Sequence, residues 1–269
     1  MKERIDKVLV DKGFFDSRER AKKNIMAGTV LVNNMVVDKA GFLIDTEDEI
    51  RIKNDAISYV SRGGLKLEKA MQSWGIDLTD KVCMDIGSST GGFTDCMLQS
   101  GAQKVYSVDV GYGQLDWKLR NDDRVTVMER TNIRHLTIED LQEGVQFFSI
   151  DVSFISLKLV LPKLTELGSE LFECVALIKP QFEVGREEVG KNGVVREASK
   201  HKKAIEYCVK YAQDLGLKIK GLDFSPIKGP KGNIEFLMFV TNAPEDIMDI
   251  DVEKEIDNTV NKAHSNLDK

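Results

Sequence analysis

The spacing of apolar residues predicts a small α+β domain over residues 1–55. An apolar stripe at helical spacing begins at Ile5, and a second helix can start after Ser17 and end near Gly28. Two β-branched runs then flank the pair Asn33–Asn34, which favours a tight hairpin turn, and the segments GFLI and DEIRI add short strands. The pattern therefore predicts two helices followed by a small sheet.

Further along, apolar runs alternate with helical patterns over residues 62–242, beyond a linker at residues 56–61. Seven runs have the composition of strands: KVCMDIG, KVYSVDVG, RVTVMER, VQFFSIDVS, CVALIKP, KIKGLDFS and IEFLMFVTN. Most connections among the first five are long enough for crossover helices, whereas the last two runs could pair directly. We therefore expect an α/β fold with a doubly wound, Rossmann-like sheet of seven strands.

The net charge of -6 by itself argues against an RNA partner, but this charge is unevenly distributed along the chain. Residues 243–269 carry 3 Lys against 8 Asp and Glu, which is -5, so 35 basic and 36 acidic residues remain in the preceding chain. We assign this segment as an acidic C-terminal tail, in which Val252, Ile256 and Val260 predict an amphipathic helix. The acidity is therefore mostly local.

The cysteines and histidines exclude two kinds of site. The four cysteines lie far apart without a CxxC pair, and the three histidines have no ligand spacing, so we expect neither disulfides nor a bound metal. Charged residues interrupt every apolar stretch, which predicts no signal peptide and no membrane span. We place the protein in the cytoplasm.

Basic residues crowd the second predicted helix. A charge run alone is more often a solvated helix face than a binding site. Here, however, the pattern S-R-x-x-A-x-x-x-I-x-x-G-x-V-x-V-N from Ser17 to Asn33 resembles the αL RNA-binding motif of a small-subunit ribosomal protein and several RNA-modifying enzymes. The resemblance implies RNA contacts by Arg4, Arg18, Arg20, Lys22 and Lys23.

A glycine-rich loop after the first strand of the second domain predicts a cofactor site. Glycines let the backbone approach a ligand, and the carboxyl ends of parallel strands form the ligand crevice. The second strand ends in Asp109, which can accept hydrogen bonds from ribose hydroxyls. The spacing D-x-G-x-x-x-G-G differs from G-x-G-x-x-G, which favours S-adenosylmethionine over a dinucleotide. The candidate residues are Asp85, Gly87, Ser88, Ser89, Thr90, Gly91, Gly92, Phe93, Asp109 and Asp151.

Four charged residues lie where side chains could converge: Lys66, Asp151, Lys179 and Glu235. Taken singly, each is more often a surface charge or part of a structural ion pair. Together they match without a gap the Lys-Asp-Lys-Glu tetrad of FtsJ-like ribose methyltransferases, which the second domain resembles. With the first domain attached, the chain resembles the TlyA-type, or haemolysin A, family of ribosomal RNA methyltransferases.

The resemblance implies a role for each member of this tetrad. Lys179 would accept the proton of a ribose 2′-hydroxyl or orient it, and Asp151 and Glu235 would set the charge and position of Lys179. Lys66 would favour the neutral amine at Lys179, because a nearby cation disfavours an ammonium group. It would also steer the ribose or phosphate.

The implied substrate is a cytidine in ribosomal RNA, free or within ribosomal subunits. Whether 16S or 23S RNA is modified stays open. The sequence indicates no DNA or membrane partner and leaves the oligomeric state open.

Two other functions compete with methyl transfer. A membrane-lysing haemolysin would need an apolar span or a cationic amphipathic helix with a bulky aromatic face, and neither stands out. An RNA-binding protein without turnover would have no need of two lysines and two carboxylates beside a methyl-donor pocket. Methyl transfer is therefore the preferred interpretation.

Overall fold

The computed structural model describes residues 2–33, 35–52, 59–244 and 250–267. The chain divides into two compact units, Met1–Arg62 and Gly63–Lys269. Each unit has a hydrophobic core of its own. The predicted linker at residues 56–61 lies only partly within the described residues.

Within its described residues, the first unit has two helices and two small sheets. Its strand β1 pairs with β4, and β3, β2 and β5 form the other sheet. Ser17 caps α2 by accepting a hydrogen bond from the amide of Arg20 at 3.3 Å, and Asn33 has a φ of 50° at the predicted turn, while Asn34 lies outside the described residues. Two helices and a small sheet are therefore confirmed, and β1 is an addition. The elements are β1 (Lys2–Arg4), α1 (Ile5–Asp11), α2 (Arg18–Met26), β2 (Val30–Val32), β3 (Met35–Val36), β4 (Leu43–Asp45) and β5 (Ile50–Ile52).

The second unit is built on a seven-stranded sheet in the order β11-β12-β10-β9-β6-β7-β8. All neighbours pair in parallel except β12, which is antiparallel to β10 and β11. This confirms the predicted fold. The elements are α3 (Gly64–Trp74), β6 (Val82–Ile86), α4 (Gly92–Gln99), β7 (Lys104–Val108), α5 (Trp117–Arg120), β8 (Val125–Met128), β9 (Val145–Ile150), α6 (Pro162–Leu167), β10 (Gly168–Ile178), α7 (Pro180–Glu183), α8 (Ala198–Asp214), β11 (Lys218–Phe224), β12 (Phe236–Thr241) and α9 (Val252–Leu267).

This topology collects the ends of several strands at one edge of the sheet. The parallel strands β6, β7, β9 and β10 all end there, and the antiparallel strand β12 begins there. The last residue of β10, Ile178, pairs with the first residue of β12, Phe236. Lys179 and Glu235, the next residues outward, are therefore neighbours at that edge.

The helix predicted in the C-terminal segment is present as α9. Its apolar residues Ile256, Val260 and Ala263 are buried in the main core, and the hydroxyl of Thr259 donates to the carbonyl of Leu222 on β11 at 3.2 Å. This helix therefore packs onto the second unit. None of the helices within the described ranges has both the length and the apolar character that a membrane crossing requires.

Candidate active site

Four buried or half-buried charges meet at the carboxyl edge of the sheet. Lys66 Nζ, on α3, lies 2.7 Å from Glu235 Oε2 and 3.3 Å from Asp151 Oδ2. Lys179 Nζ, just after β10, lies 2.5 Å from Asp151 Oδ1. Asp151 therefore bridges the two lysines, and all four residues proposed from the sequence as a tetrad lie together.

The two ends of this cluster differ in their countercharges. Burial disfavours the ammonium form of Lys66, but Asp151 and Glu235 outweigh burial and raise its pKa. Burial likewise disfavours ionised Asp151, but Lys66 and Lys179 outweigh it and lower its pKa. Lys66 is therefore held as a cation between two carboxylates. Among the carboxylates of the described residues, Lys179 contacts only that of Asp151, which also contacts Lys66.

The surroundings of Glu235 bear on the role that the resemblance implies for it, which is to help set the charge and position of Lys179. Its carboxylate pairs with Lys66, and its Oε1 lies where a side chain on Gly229 would collide with it, at 2.5 Å. Neither Asp151 Oδ1 nor Glu235 Oε2 accepts a well-angled hydrogen bond from the part of the chain that the structure describes. Their contacts with the lysines are therefore ion pairs, and Lys66 lies between Glu235 and Asp151, the carboxylate that Lys179 also contacts.

A cavity of about 420 Å³ opens beside the tetrad. This volume is in the range of small-molecule and cofactor sites. The wall combines residues from the ends of β6, β7 and β9, among them Gly87, Ser89, Asp109, Gln114, Asp151 and Phe154. The cavity therefore lies where the glycine loop and the tetrad meet.

The glycine loop between β6 and α4 needs glycine at two positions for different reasons. Gly87 has a φ of 88°, and a Cβ there would lie 2.6 Å from the carbonyl oxygen of Asp151, a backbone atom. Gly91 has a φ of 93°, and a Cβ would lie 2.3 Å from a methyl group of Leu119. Gly87 thus lets the loop approach the end of β9, and Gly91 lets a following segment cover the loop.

Asp109 holds this loop from the end of β7. Its Oδ2 accepts a hydrogen bond from the amide of Ser89 at 2.7 Å, and its Oδ1 accepts one from the amide of Gly111 at 2.7 Å. A carboxylate oxygen can accept more than one hydrogen bond. Asp109, on the cavity wall, can therefore fix the loop and still receive ligand hydroxyls.

Asp85 lies beneath the loop and is fully buried. Its Oδ2 accepts hydrogen bonds from the amide and hydroxyl of Thr94 at 2.9 Å and 2.7 Å, and its Oδ1 accepts one from Ser149 Oγ at 3.3 Å. Burial raises the pKa of Asp85 to about 7, although the hydrogen bonds from Thr94 oppose the shift. These contacts suit a residue that shapes the loop from below.

Apart from Asp85, the residues proposed for the cofactor site lie either on the cavity wall or elsewhere in the glycine loop and the start of α4. Gly87, Ser89, Asp109 and Asp151 are on the cavity wall. Ser88, Gly92 and Phe93 are buried and Thr90 is exposed; the carbonyl of Thr90 accepts a hydrogen bond from the amide of Asp116 at 3.2 Å. The structure therefore brings some of the loop residues to the cavity and uses the others to build the loop.

The segment after Asp151 contains residues to which the sequence interpretation gave no role. Ser153 Oγ accepts a hydrogen bond from Lys179 Nζ at 3.0 Å. Phe154 is 87% exposed, has a φ of 64°, and its ring lies 5.2 Å from that of Phe182. The usable signal was an aromatic residue three positions after a strand-end carboxylate, at the mouth of the predicted crevice.

In the first unit, two of the proposed RNA-binding residues converge on one buried carboxylate. Arg4 Nε lies 3.0 Å from Asp6 Oδ1, and Arg18 Nη2 lies 2.8 Å from Asp6 Oδ2. Hydrogen bonding from Arg4, aided by Arg18, lowers the pKa of Asp6 to about 2 against the cost of burial. Both arginine side chains are about half exposed, so Asp6 holds two partly exposed cations together.

The other proposed RNA-binding residues lie along α2. Arg20 Nη1 pairs with Asp16 Oδ2 at 3.1 Å, Lys22 is exposed, and Lys23 is half-buried. Within the described ranges, no group of three or more His, Cys, Asp or Glu side chains is placed to hold a metal ion.

Comparisons with known proteins agree with both units. The FtsJ-like methyltransferase family matches residues 59–242, and the S4 domain matches residues 3–50. The chain is 40% identical over 238 residues to the 16S/23S rRNA (cytidine-2′-O)-methyltransferase TlyA of Mycobacterium tuberculosis, covering 88% of this chain and 89% of the relative. It is 42% identical over 235 residues to Hemolysin A of Brachyspira hyodysenteriae, covering 87% of this chain and 98% of the relative.

A solved structure from Streptococcus thermophilus, described as a hemolysin, is similar over nearly the full length of this chain. It is 49% identical, with a TM-score of 0.78, and the match covers 99% of this chain and 97% of that chain. The chain therefore belongs to the FtsJ-like methyltransferase family and carries an S4 domain in its first unit.

Proposed function

We propose that this protein transfers the methyl group of S-adenosylmethionine to the ribose 2′-hydroxyl of a cytidine in ribosomal RNA. The observation that carries the proposal is the pair of lysines joined by Asp151 next to a cavity of cofactor size. The name of the Mycobacterium tuberculosis relative supports cytidine and ribosomal RNA as the substrate. Ribosomal RNA as substrate would place the protein in the cytoplasm.

The residues of the cavity suit a nucleoside with a charged amino-acid arm. Asp109 can accept hydrogen bonds from ribose hydroxyls while it holds the loop. Gly87 and Ser89 bring backbone close to the ligand, and Asp151 can face a positive group. When bound, S-adenosylmethionine supplies a methyl group on a positively charged sulfur, which an oxygen nucleophile can attack.

The tetrad would supply the proton acceptor that the hydroxyl needs. Lys66 stays an ammonium group between Asp151 and Glu235, so it contributes fixed positive charge at the site. Lys179 contacts one carboxylate, which it shares with Lys66, so of the two lysines we assign Lys179 as the group whose neutral amine accepts the proton of the 2′-hydroxyl. Asp151 then faces the new ammonium group at 2.5 Å and stabilises it.

Two features suit an RNA substrate. We propose residues 1–55, in the first unit, as the RNA-binding domain. Arg4 and Arg18 are held together there by Asp6 and can contact phosphate groups. In the second unit, with residues 62–242 as the catalytic domain, the exposed ring of Phe154 at the cavity offers a surface on which a base turned out of its helix can stack.

Replacement of the proposed base tests this function. Purified protein is incubated with ribosomal subunits and S-adenosylmethionine that carries a labelled methyl group. We expect Lys179→Ala to reduce transfer about a hundredfold or more, while the affinity for S-adenosylmethionine, measured by calorimetry, changes little. The control is Lys210→Ala, which removes an exposed lysine of α8 that pairs with Asp214.

Two outcomes would contradict the proposal. Undiminished transfer by Lys179→Ala would remove Lys179 from the chemistry. Failure of the unaltered protein to bind S-adenosylmethionine would instead favour an RNA-binding protein without turnover.

A further inference from the structure

The amine of Lys179 has two polar neighbours among the described residues, and they act on it differently. Asp151 Oδ1 lies 2.5 Å away but accepts no well-angled hydrogen bond from the described residues, so it attracts the amine mainly through charge. Ser153 Oγ accepts a hydrogen bond from Lys179 Nζ at 3.0 Å. Ser153 therefore provides the directional contact.

Direction matters because a neutral primary amine can accept a proton at only one position. Its nitrogen carries two N–H bonds and one lone pair, and rotation about the Cε–Nζ bond exchanges their places among three staggered positions. The hydrogen bond to Ser153 takes one N–H bond, and the negative charge of Asp151 favours the other N–H bond on its side. The lone pair is left with the third position.

We propose that Ser153 is a positioning residue that orients the amine of Lys179 toward the substrate hydroxyl, an inference that rests on the proposed function. In the transfer step the lone pair of Nζ takes the proton of the 2′-hydroxyl while the oxygen bonds to the methyl carbon and the carbon–sulfur bond breaks. The electron pair of that bond stays on sulfur. The resulting ammonium group of Lys179 keeps its hydrogen bond to Ser153.

The surrounding loop is built to hold Ser153 in place. Glu183, on the helix that begins directly after Lys179, accepts hydrogen bonds from the hydroxyl of Ser156 at 2.6 Å and the amide of Leu157 at 2.8 Å. Phe154, next to Ser153, has a φ of 64°, a conformation that costs a non-glycine residue energy and persists only where its surroundings impose it. The loop that carries Ser153 is thus tied to the element that carries Lys179.

Ser153 is itself exposed, so its hydroxyl can be removed without opening the core. We expect Ser153→Ala to lower kcat for ribose methylation about tenfold. KM for the RNA, the calorimetric Kd for S-adenosylmethionine and the melting temperature should stay close to those of the unaltered protein. Ser153→Thr, which keeps the hydroxyl, should restore most of the lost kcat.

The control is Ser265→Ala, which removes an exposed hydroxyl that donates to a carbonyl within α9 and should change none of these quantities. Equal kcat in Ser153→Ala and the unaltered protein would overturn the inference, as would equal losses in Ser153→Ala and Ser153→Thr. The unaltered protein and Lys179→Ala are assayed alongside. If the former transfers no methyl group to ribose, both proposals fail; if Lys179→Ala alone is inactive and Ser153→Ala is unimpaired, only this inference fails.

Discussion

Replacing Gly87 by alanine tests whether the close approach of two strand ends builds the cofactor cavity. A Cβ at this position would lie 2.6 Å and 2.9 Å from the carbonyl oxygen and carbon of Asp151. These are backbone atoms, so no side-chain rotation relieves the contact. The φ of 88° adds strain for any residue other than glycine.

The two effects give a magnitude for the loss of stability. The backbone conformation costs about 1–2 kcal/mol in a residue with a Cβ, and a forced separation of packed backbone costs about 1–3 kcal/mol more. At about 2–4 °C per kcal/mol for a unit of this size, Gly87→Ala should lower the melting temperature by about 4–20 °C. Because the wall of the cavity must move, Kd for S-adenosylmethionine should rise at least about tenfold.

Gly75→Ala is the matched control. Gly75 also has a positive φ, 62°, but a Cβ there meets nothing within 4 Å. This variant should lose only the conformational part, about 2–8 °C in melting temperature, and bind S-adenosylmethionine normally. Scanning and titration calorimetry measure both quantities. Equal melting temperatures and equal affinities in Gly87→Ala and Gly75→Ala would refute the role given to the contact with Asp151.

Two further predictions concern the exposed ring of Phe154 and the buried carboxylate of Asp6. Phe154→Ala should lower kcat/KM for ribosomal subunits about tenfold to a hundredfold, because the loss of one stacked base costs about 1–3 kcal/mol. Unchanged kcat/KM would contradict this prediction. The control is Leu171→Ala, which alters an exposed residue at the end of β10 away from the tetrad. The pKa of Asp6 lies at about 2, below its ordinary 3.8, so ionised Asp6 stabilises the first unit above about pH 4, and this contribution falls as the pH drops toward 2. Asp6→Asn should therefore flatten the decline of the first unit's melting temperature between about pH 5 and about pH 2, whereas an equally steep decline would show that Asp6 does not cause it.

The strands and their succession along the chain could be predicted because each strand leaves a local signal. Continuous apolar runs separated by long connections predict parallel strands, and the carboxyl ends of parallel strands share one edge, so the sequence alone puts Asp151 and Lys179 together. The direction of Asp85 could not be predicted in the same way. Every residue of β6 is buried, so no alternation distinguishes the face of the strand that meets the cavity from the one that meets the core.

Pairings between distant side chains were also beyond local pattern. Lys66 comes from α3, and its choice of Glu235 as partner depends on how that helix packs against the sheet. The role of Asp6 could not be predicted from local pattern either, because an acidic residue among basic ones lowers the positive charge available to bind RNA. In the structure it positions Arg4 and Arg18.

The position of the new methyl group on the nucleoside is the most direct test of the proposed function. Ribosomal subunits from cells that lack the gene are incubated with the purified protein and S-adenosylmethionine labelled with ¹³C in the methyl group. The RNA is then digested to nucleosides for mass spectrometry. We expect label in 2′-O-methylcytidine, and none there with Lys179→Ala; label on a base, or no label in the RNA, would contradict ribose methylation by this protein.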